Sequence, residues 1–169
     1  MIVTLNFIIA AGFLALLYGY IVGKQILSAS PGNLRMQEIA SAIQEGARAY
    51  LNRQYKTITI VGIIILIIIT YALGIWVGIG YFIGAFLSGA AGYIGMLVSV
   101  QANVRTAEAS RKGLSEGLNI SFKSGAITGM LVVGLALLAI AIYYLFLLKL
   151  NVENREIINA LVGLGFGAS

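Results

Sequence analysis

The chain predicts an all-α membrane protein: a polytopic helical bundle with four transmembrane helices and a truncated fifth. Three observations carry that prediction. The whole stretch Thr57–Val104 contains no charged residue. A helix crosses a hydrocarbon core of about 30 Å with roughly 20 residues, so this stretch is long enough for two crossings. Two further uncharged runs, Met1–Gly23 and Ser124–Leu148, are each long enough for one. The composition agrees: 60% hydrophobic and 10% charged residues, with a mean hydropathy of +0.97, lie outside the usual range of soluble domains.

The first helix is expected over about residues 2–23. It has no basic leading region and no small-residue cleavage site, so it reads as a retained span and not as a signal peptide. The run Ser28-Ala29-Ser30-Pro31-Gly32-Asn33 breaks the helix, and Asn33 is a candidate N-cap. Met36, Ile39, Ala40, Ile43, Ala47, Tyr50 and Leu51 then recur at helical spacing. No strong stop separates them from the Ile-rich run, so one helix is expected over about 36–77, projecting several turns beyond the membrane. The turn that follows is placed at Gly78-Ile79-Gly80, just after Trp76. A third helix over about 80–118 carries a favourable i,i+4 pair, Glu108–Lys112. A fourth is expected over about 120–148 and a fifth over 156–169. The apolar run Ile157–Ser169 covers only about 20 Å at helical rise, so the chain is expected to be part of a longer protein. Residues 1–169 read as a single transmembrane bundle piece.

The basic residues set the orientation. With alternate loops on one side, Lys24, Arg35, Arg48, Arg53, Lys56, Arg105, Arg111, Lys112 and Lys123 fall together, and only Lys149 and Arg155 lie opposite. Positive charge accumulates in cytoplasmic loops. The N-terminus is therefore expected outside, in a multi-pass protein of the cell membrane. The net charge of +5 is accounted for by this collar and calls for no nucleic acid.

The sequence excludes several chemistries. It has no Cys, His or Asp, which removes thiol catalysis, disulfides and Cys/His metal centres, and all six acidic residues are Glu. No charge lies deep in a span, where ion pathways usually leave one. The polar candidates in the apolar segments are Asn6, Thr70, Ser88, Ser99 and Ser169, and a hydroxyl on a helix ordinarily bonds a backbone carbonyl. Small residues, in contrast, are patterned. Gly80, Gly84, Ser88 and Gly92 recur every fourth residue, Ala91 and Gly95 lie on a neighbouring stripe, and Gly125/Gly129 and Gly163/Gly167 repeat the spacing. Such rows let membrane helices approach closely. The run Gly163–Gly167 follows no strand, so a nucleotide loop is rejected.

Several segments are similar to the N-terminal region of the membrane-integral, ion-pumping pyrophosphatases. The stretch from Arg35-Met36-Gln37-Glu38 through Gln44-Glu45-Gly46-Ala47-Arg48 to Asn52-Arg53-Gln54-Tyr55 resembles that family. So do Ser88–Met96, Gln101–Ala107, Phe122–Gly129 and Gly165-Phe166-Gly167-Ala168-Ser169, in the same order. The resemblance implies a much longer protein whose helices form an inner and an outer ring. It places the first four helices here in the outer ring and the fifth in the inner one. It implies hydrolysis of Mg²⁺-pyrophosphate coupled to H⁺ or Na⁺ export, and a homodimer in the complete protein. The Asp-rich motifs that hold Mg²⁺ are expected beyond Ser169, so no cofactor is expected on this chain. Its partners are the remaining transmembrane helices and the lipid bilayer. Ser169 falls near the family's gate serine. The alternative reading is a small non-enzymatic multi-pass scaffold or subunit protein; a solute transporter would show an inverted repeat with broken helices, and none is seen.

The charge asymmetry makes a topological prediction. Cysteines introduced singly as Ser30→Cys and Ser115→Cys are expected to react with an impermeant thiol reagent only from the cytoplasmic side. Asn151→Cys is expected to react only from outside; its labelling from the cytoplasm reverses the orientation.

Overall fold

The computed structural model describes residues 2–169, and they form five helices: α1 (Ile2–Leu27), α2 (Leu34–Leu73), α3 (Ile75–Ser110), α4 (Leu114–Lys149) and α5 (Asn154–Ala168). The first four are long and apolar enough to cross a membrane. At 40 residues, α2 extends to about 60 Å, twice the hydrocarbon thickness. Its N-terminal half is therefore the projecting part, and it begins where Asn33 Oδ1 accepts the Met36 amide at 2.9 Å.

The first turn lies elsewhere than expected. Gly74, and not Gly78-Ile79-Gly80, separates α2 from α3. Its φ of 97° is a conformation glycine adopts without strain, and its amide closes α2 by donating to Thr70 O. Gly78 and Gly80 lie inside α3 because their missing side chains serve packing. A side chain at Gly78 would run into Thr70, and one at Gly80 into the Ala160 carbonyl. Helix α3 therefore starts at Ile75.

The second difference is at residues 111–113, where the expected helix 80–118 breaks. The amides of Arg111 and Lys112 fold back onto Glu108 O and Ala109 O, and Gly113 is extended at the start of α4. Gly117, buried in the first turn of α4, lies against Ser110 so closely that a side chain there would strike its hydroxyl. The break also replaces the expected Glu108–Lys112 pair. Lys112 lies past the end of α3, and Glu108 instead meets Arg111 at 2.9 Å. At the other ends, α1 runs on to Leu27, α4 spans 114–149 and not 120–148, and α5 begins at Asn154.

Helix α3 is central. It packs against α5, α4, α2 and, more lightly, α1, whereas α3 is the only helical neighbour of α2 among the described residues. Two buried clusters form. Ala139, Tyr143, Leu147, Ile157, Ala160 and Leu164 join the end of α4 to the beginning of α5. Val22, Ile26, Ala102 and Ile127 join α1, α3 and α4 near the other membrane face. The Ile-rich face of α2 is left outward, with Ile60, Ile63, Ile64, Ile67 and Ile68 exposed. In lipid such a face is in its proper solvent.

Two glycines on α2 and at its end separate backbone strain from packing. Neither Gly74 nor Gly46 has anything near enough to obstruct an added methyl group. Gly74→Ala is expected to cost about 1 kcal/mol through its positive φ, while Gly46→Ala, inside the helix, is expected to stabilise by about 0.5–1 kcal/mol. Thermal unfolding in detergent checks the opposite signs.

Candidate functional site: the contact between α3 and α5

Helices α3 and α5 run parallel and meet backbone to backbone at their glycines. The glycines on the two helices are reciprocal. On α3, side chains at Gly80 and Gly84 would strike the backbone of Ala160 and Leu164; on α5, Gly163 and Gly167 lie in the same way against the backbone of Val77 and Tyr81. Each helix thus presents bare backbone to the other. The next small residue of the α3 row, Ser88, donates its hydroxyl to Ala168 O at 2.8 Å. Gly163-Leu164-Gly165-Phe166-Gly167 is part of helix α5, with no loop to cradle a phosphate.

The remaining members of the small-residue rows differ from these. Gly92 faces α2: a side chain there would meet the tip of Tyr55, whose ring stands edge-on to Tyr93 at 5.2 Å. A flexible tip yields more readily than a backbone. Gly125 and Gly129 on α4 have nothing within 4 Å of an added Cβ, so among the described residues they pack against no helix. Their spacing matched that of the α3 row, but spacing alone does not say which face has a neighbour. Ser169 closes α5, its hydroxyl donating to Phe166 O at 2.9 Å.

Among the described residues, long-range hydrogen bonds tie α3 to each of the other helices. Besides Ser88 to α5, Arg105 donates to Leu27 O of α1 at 3.0 Å. Tyr93 on α3 donates to Asn52 Oδ1 of α2 at 3.0 Å. Tyr143 of α4, only 3% exposed, donates to Trp76 O in the first turn of α3 at 2.5 Å. Sequence reading missed Arg105, Tyr93 and Tyr143, which carry no spacing signal. It also missed the α1–α4 contact, where Gly12 and Gly134 face each other; Gly12 stands outside the four-residue spacing of Gly19/Gly23, and Gly134 outside that of Gly125/Gly129.

The site has little chemistry to offer. Thr70 bonds Leu66 O within its own helix, as expected of a membrane hydroxyl. The groove of about 400 Å³ between α3 and α4, lined by Ile79, Ile83, Leu87, Leu138 and Tyr143, is apolar throughout. Among the described residues no three carboxylates come together to hold a metal ion. Glu38 pairs with Arg35 on the exposed surface and Glu108 with Arg111. Mg²⁺ needs several hard oxygen ligands in near-octahedral array, so the residues present do not fit a magnesium site. What the arrangement does is hold helices together in lipid.

A multi-pass membrane bundle built on small-residue contacts is the class that this geometry defines. The family comparison is more specific. Residues 13–169 match the family model described as inorganic H⁺ pyrophosphatase, and the chain belongs to that family. It is 45% identical, over 94% of its length, to a K⁺-insensitive pyrophosphate-energized proton pump of Methanosarcina mazei, covering 23% of that protein. A proton pump of the same description from Caldanaerobacter subterraneus is 38% identical over 93% of the chain, which covers 26% of it. A putative K⁺-stimulated pyrophosphate-energized sodium pump of Bacteroides thetaiotaomicron is 43% identical over 81% of the chain, which covers 20% of it. The chain thus spans about a quarter of the length of these relatives.

The reciprocal glycines predict a graded response to bulk. Gly84→Leu is expected to destabilise by about 3 kcal/mol, since backbone on the facing helix has nowhere to move. Gly92→Leu is expected to cost less, and Gly125→Leu and the lipid-facing Ile64→Leu no more than about 0.5 kcal/mol. Equal losses of detergent melting temperature across the set would show that the α3–α5 contact is not an interface.

Proposed function

We propose that this chain forms the N-terminal, outer-ring part of a pump that couples pyrophosphate hydrolysis to export of H⁺ or Na⁺ from the cytoplasm. The observation that carries the reading is the family match over residues 13–169. The helical architecture supports it, since the four candidate spans are apolar and among the described residues no carboxylate is buried in them, which suits a supporting wall and not a conduction path. Helices α1–α4 are the wall, and α5 is the first helix of the inner ring, laid along α3. Ser169 is proposed as the gate serine, Gly80, Gly84, Ser88 and Gly92 as contacts within the wall and to α5, and Gly125 and Gly129 as a face for helices outside this chain. The N-terminus is outside. Mg²⁺ belongs with residues of the complete protein, which works as a homodimer in the lipid bilayer.

In this reading the chain does no hydrolysis by itself. Attack of water on a phosphorus centre needs converging carboxylates and cations that position the nucleophile and neutralise developing charge. The described carboxylates are dispersed. The relatives named as proton pumps and the one named as a putative sodium pump share this segment with comparable identity, so ion choice is assigned to the rest of the protein.

The test is a replacement. This chain is exchanged for the corresponding segment of the Methanosarcina mazei relative, and pyrophosphate-driven ion uptake is followed in inverted vesicles. Uptake is expected to survive the exchange, and the reconstituted chain alone is expected to hydrolyse no pyrophosphate. Magnesium-dependent hydrolysis by the chain alone, after removal of contaminating soluble enzyme, would sink the proposal.

A further inference from the structure

The two halves of α5 are held in different ways. Its first turns are anchored by bulk: Ile157, Ala160 and Leu164 are almost wholly buried, packed with Tyr143 and Leu147 of α4. Beyond Leu164 the character changes. The run Gly165-Phe166-Gly167-Ala168-Ser169 has one large side chain, and Phe166 is 60% exposed. Two of these five residues are glycine, a third (Gly163) lies just before them, and glycine weakens a helix by about 1 kcal/mol relative to alanine. A side chain at Gly165 would meet nothing within 4 Å, whereas Gly167 rests directly on the backbone of Tyr81. Packing thus brings this stretch of α5 onto α3 through the bare Gly167 and a tilted ring contact of Phe166 with Tyr81 at 6.0 Å.

One directional contact is present there. The Ser88 hydroxyl, two turns along α3 from Gly80, reaches Ala168 O at 2.8 Å. Ala168 is the last residue of α5, and a carbonyl in a helix's last turn accepts a side-chain hydroxyl where no ladder donor follows. In lipid no water competes for either group. The acceptor belongs to the residue immediately before Ser169.

We infer that Ser88 is a positioning residue: its hydroxyl holds the glycine-rich end of α5 in one rotation against α3 and so fixes where Ser169 points. The role assigned to Ser169 rests on the proposed pump; the hold of Ser88 on α5 does not. Small residues at Gly80 and Gly84 permit the approach, and Ser88 selects one orientation from those it allows. A polar side chain that specifies register within an apolar helix contact is a known device in coiled coils.

The experiment compares Ser88→Ala and Ser88→Thr in the assembled pump described above. Amide hydrogen exchange is read separately over residues 157–162 and 165–169. Ser88→Ala is expected to speed exchange in 165–169 by about threefold, the weight of an average hydrogen bond between membrane helices, and to leave 157–162 unchanged. It is expected to lower ions transported per pyrophosphate hydrolysed by a similar factor. Ser88→Thr, which keeps the hydroxyl, is expected to restore both. The inference is overturned if Ser88→Ala leaves exchange in 165–169 at the wild-type rate. It is overturned as well if exchange rises equally along all of α5 without rescue by Thr, or if the transport ratio does not move. An unsubstituted pump that fails to transport defeats the pump reading instead, and the exchange measurement, which needs no turnover, then decides the role of Ser88 by itself.

Discussion

The structure depends on one constraint: in lipid, apolar side chains gain nothing by leaving their solvent, so helices associate only where they fit closely or share a hydrogen bond. Both conditions meet on α3. Its glycines let α5 come to backbone contact, and its hydrogen bonds reach each of the other four helices. The remaining helices have less to do with one another. Helix α2 touches α3 alone among the described residues, and its Ile-rich face is turned outward. The result is a bundle organised around a spine, with the bulky residues that would fill a soluble core instead facing the bilayer.

The four hydrogen bonds are distributed along the length of that spine. Tyr143 meets α3 in its first turn at Trp76, Ser88 and Tyr93 act near its middle, and Arg105 clasps Leu27 towards its last turns. Three of the four donate to a backbone carbonyl. That choice suits lipid, since the last carbonyls of α1 and α5 have no ladder donor of their own and the Trp76 carbonyl has a second lone pair. Arg105 adds a favourable charge, because the C-terminal end of α1 carries the negative pole of its helix dipole.

The helices themselves were legible in the sequence because the uncharged runs are long and the basic residues sharply placed. Their limits were less so. Three glycines, Gly74, Gly78 and Gly80, stand close together, and any of them could take a positive φ. Only the fold shows that Gly78 and Gly80 are needed bare for Thr70 and Ala160, which leaves Gly74 to make the turn. Gly113 was overlooked because the charges around it suggested an unbroken solvated helix. The α3 row and the Gly125/Gly129 pair looked alike, yet the first meets other helices and the second meets none. A four-residue spacing reports which residues share a face, and not what that face touches.

Under the proposed function, the same constraint bears on how such a wall takes part in transport. A wall of apolar helices can determine where a helix laid along it stands. Bulk packing fixes the first turns of α5 firmly, through Ile157, Ala160 and Leu164. Its glycine-rich stretch is held by bare backbone contact, the Phe166–Tyr81 ring contact and the Ser88 hydroxyl. The contacts that residues 165–169 make with another helix, through Gly167, Phe166 and Ala168, all lie on α3. Under the proposed function, α3 would in this way govern the placement of the helix laid along it.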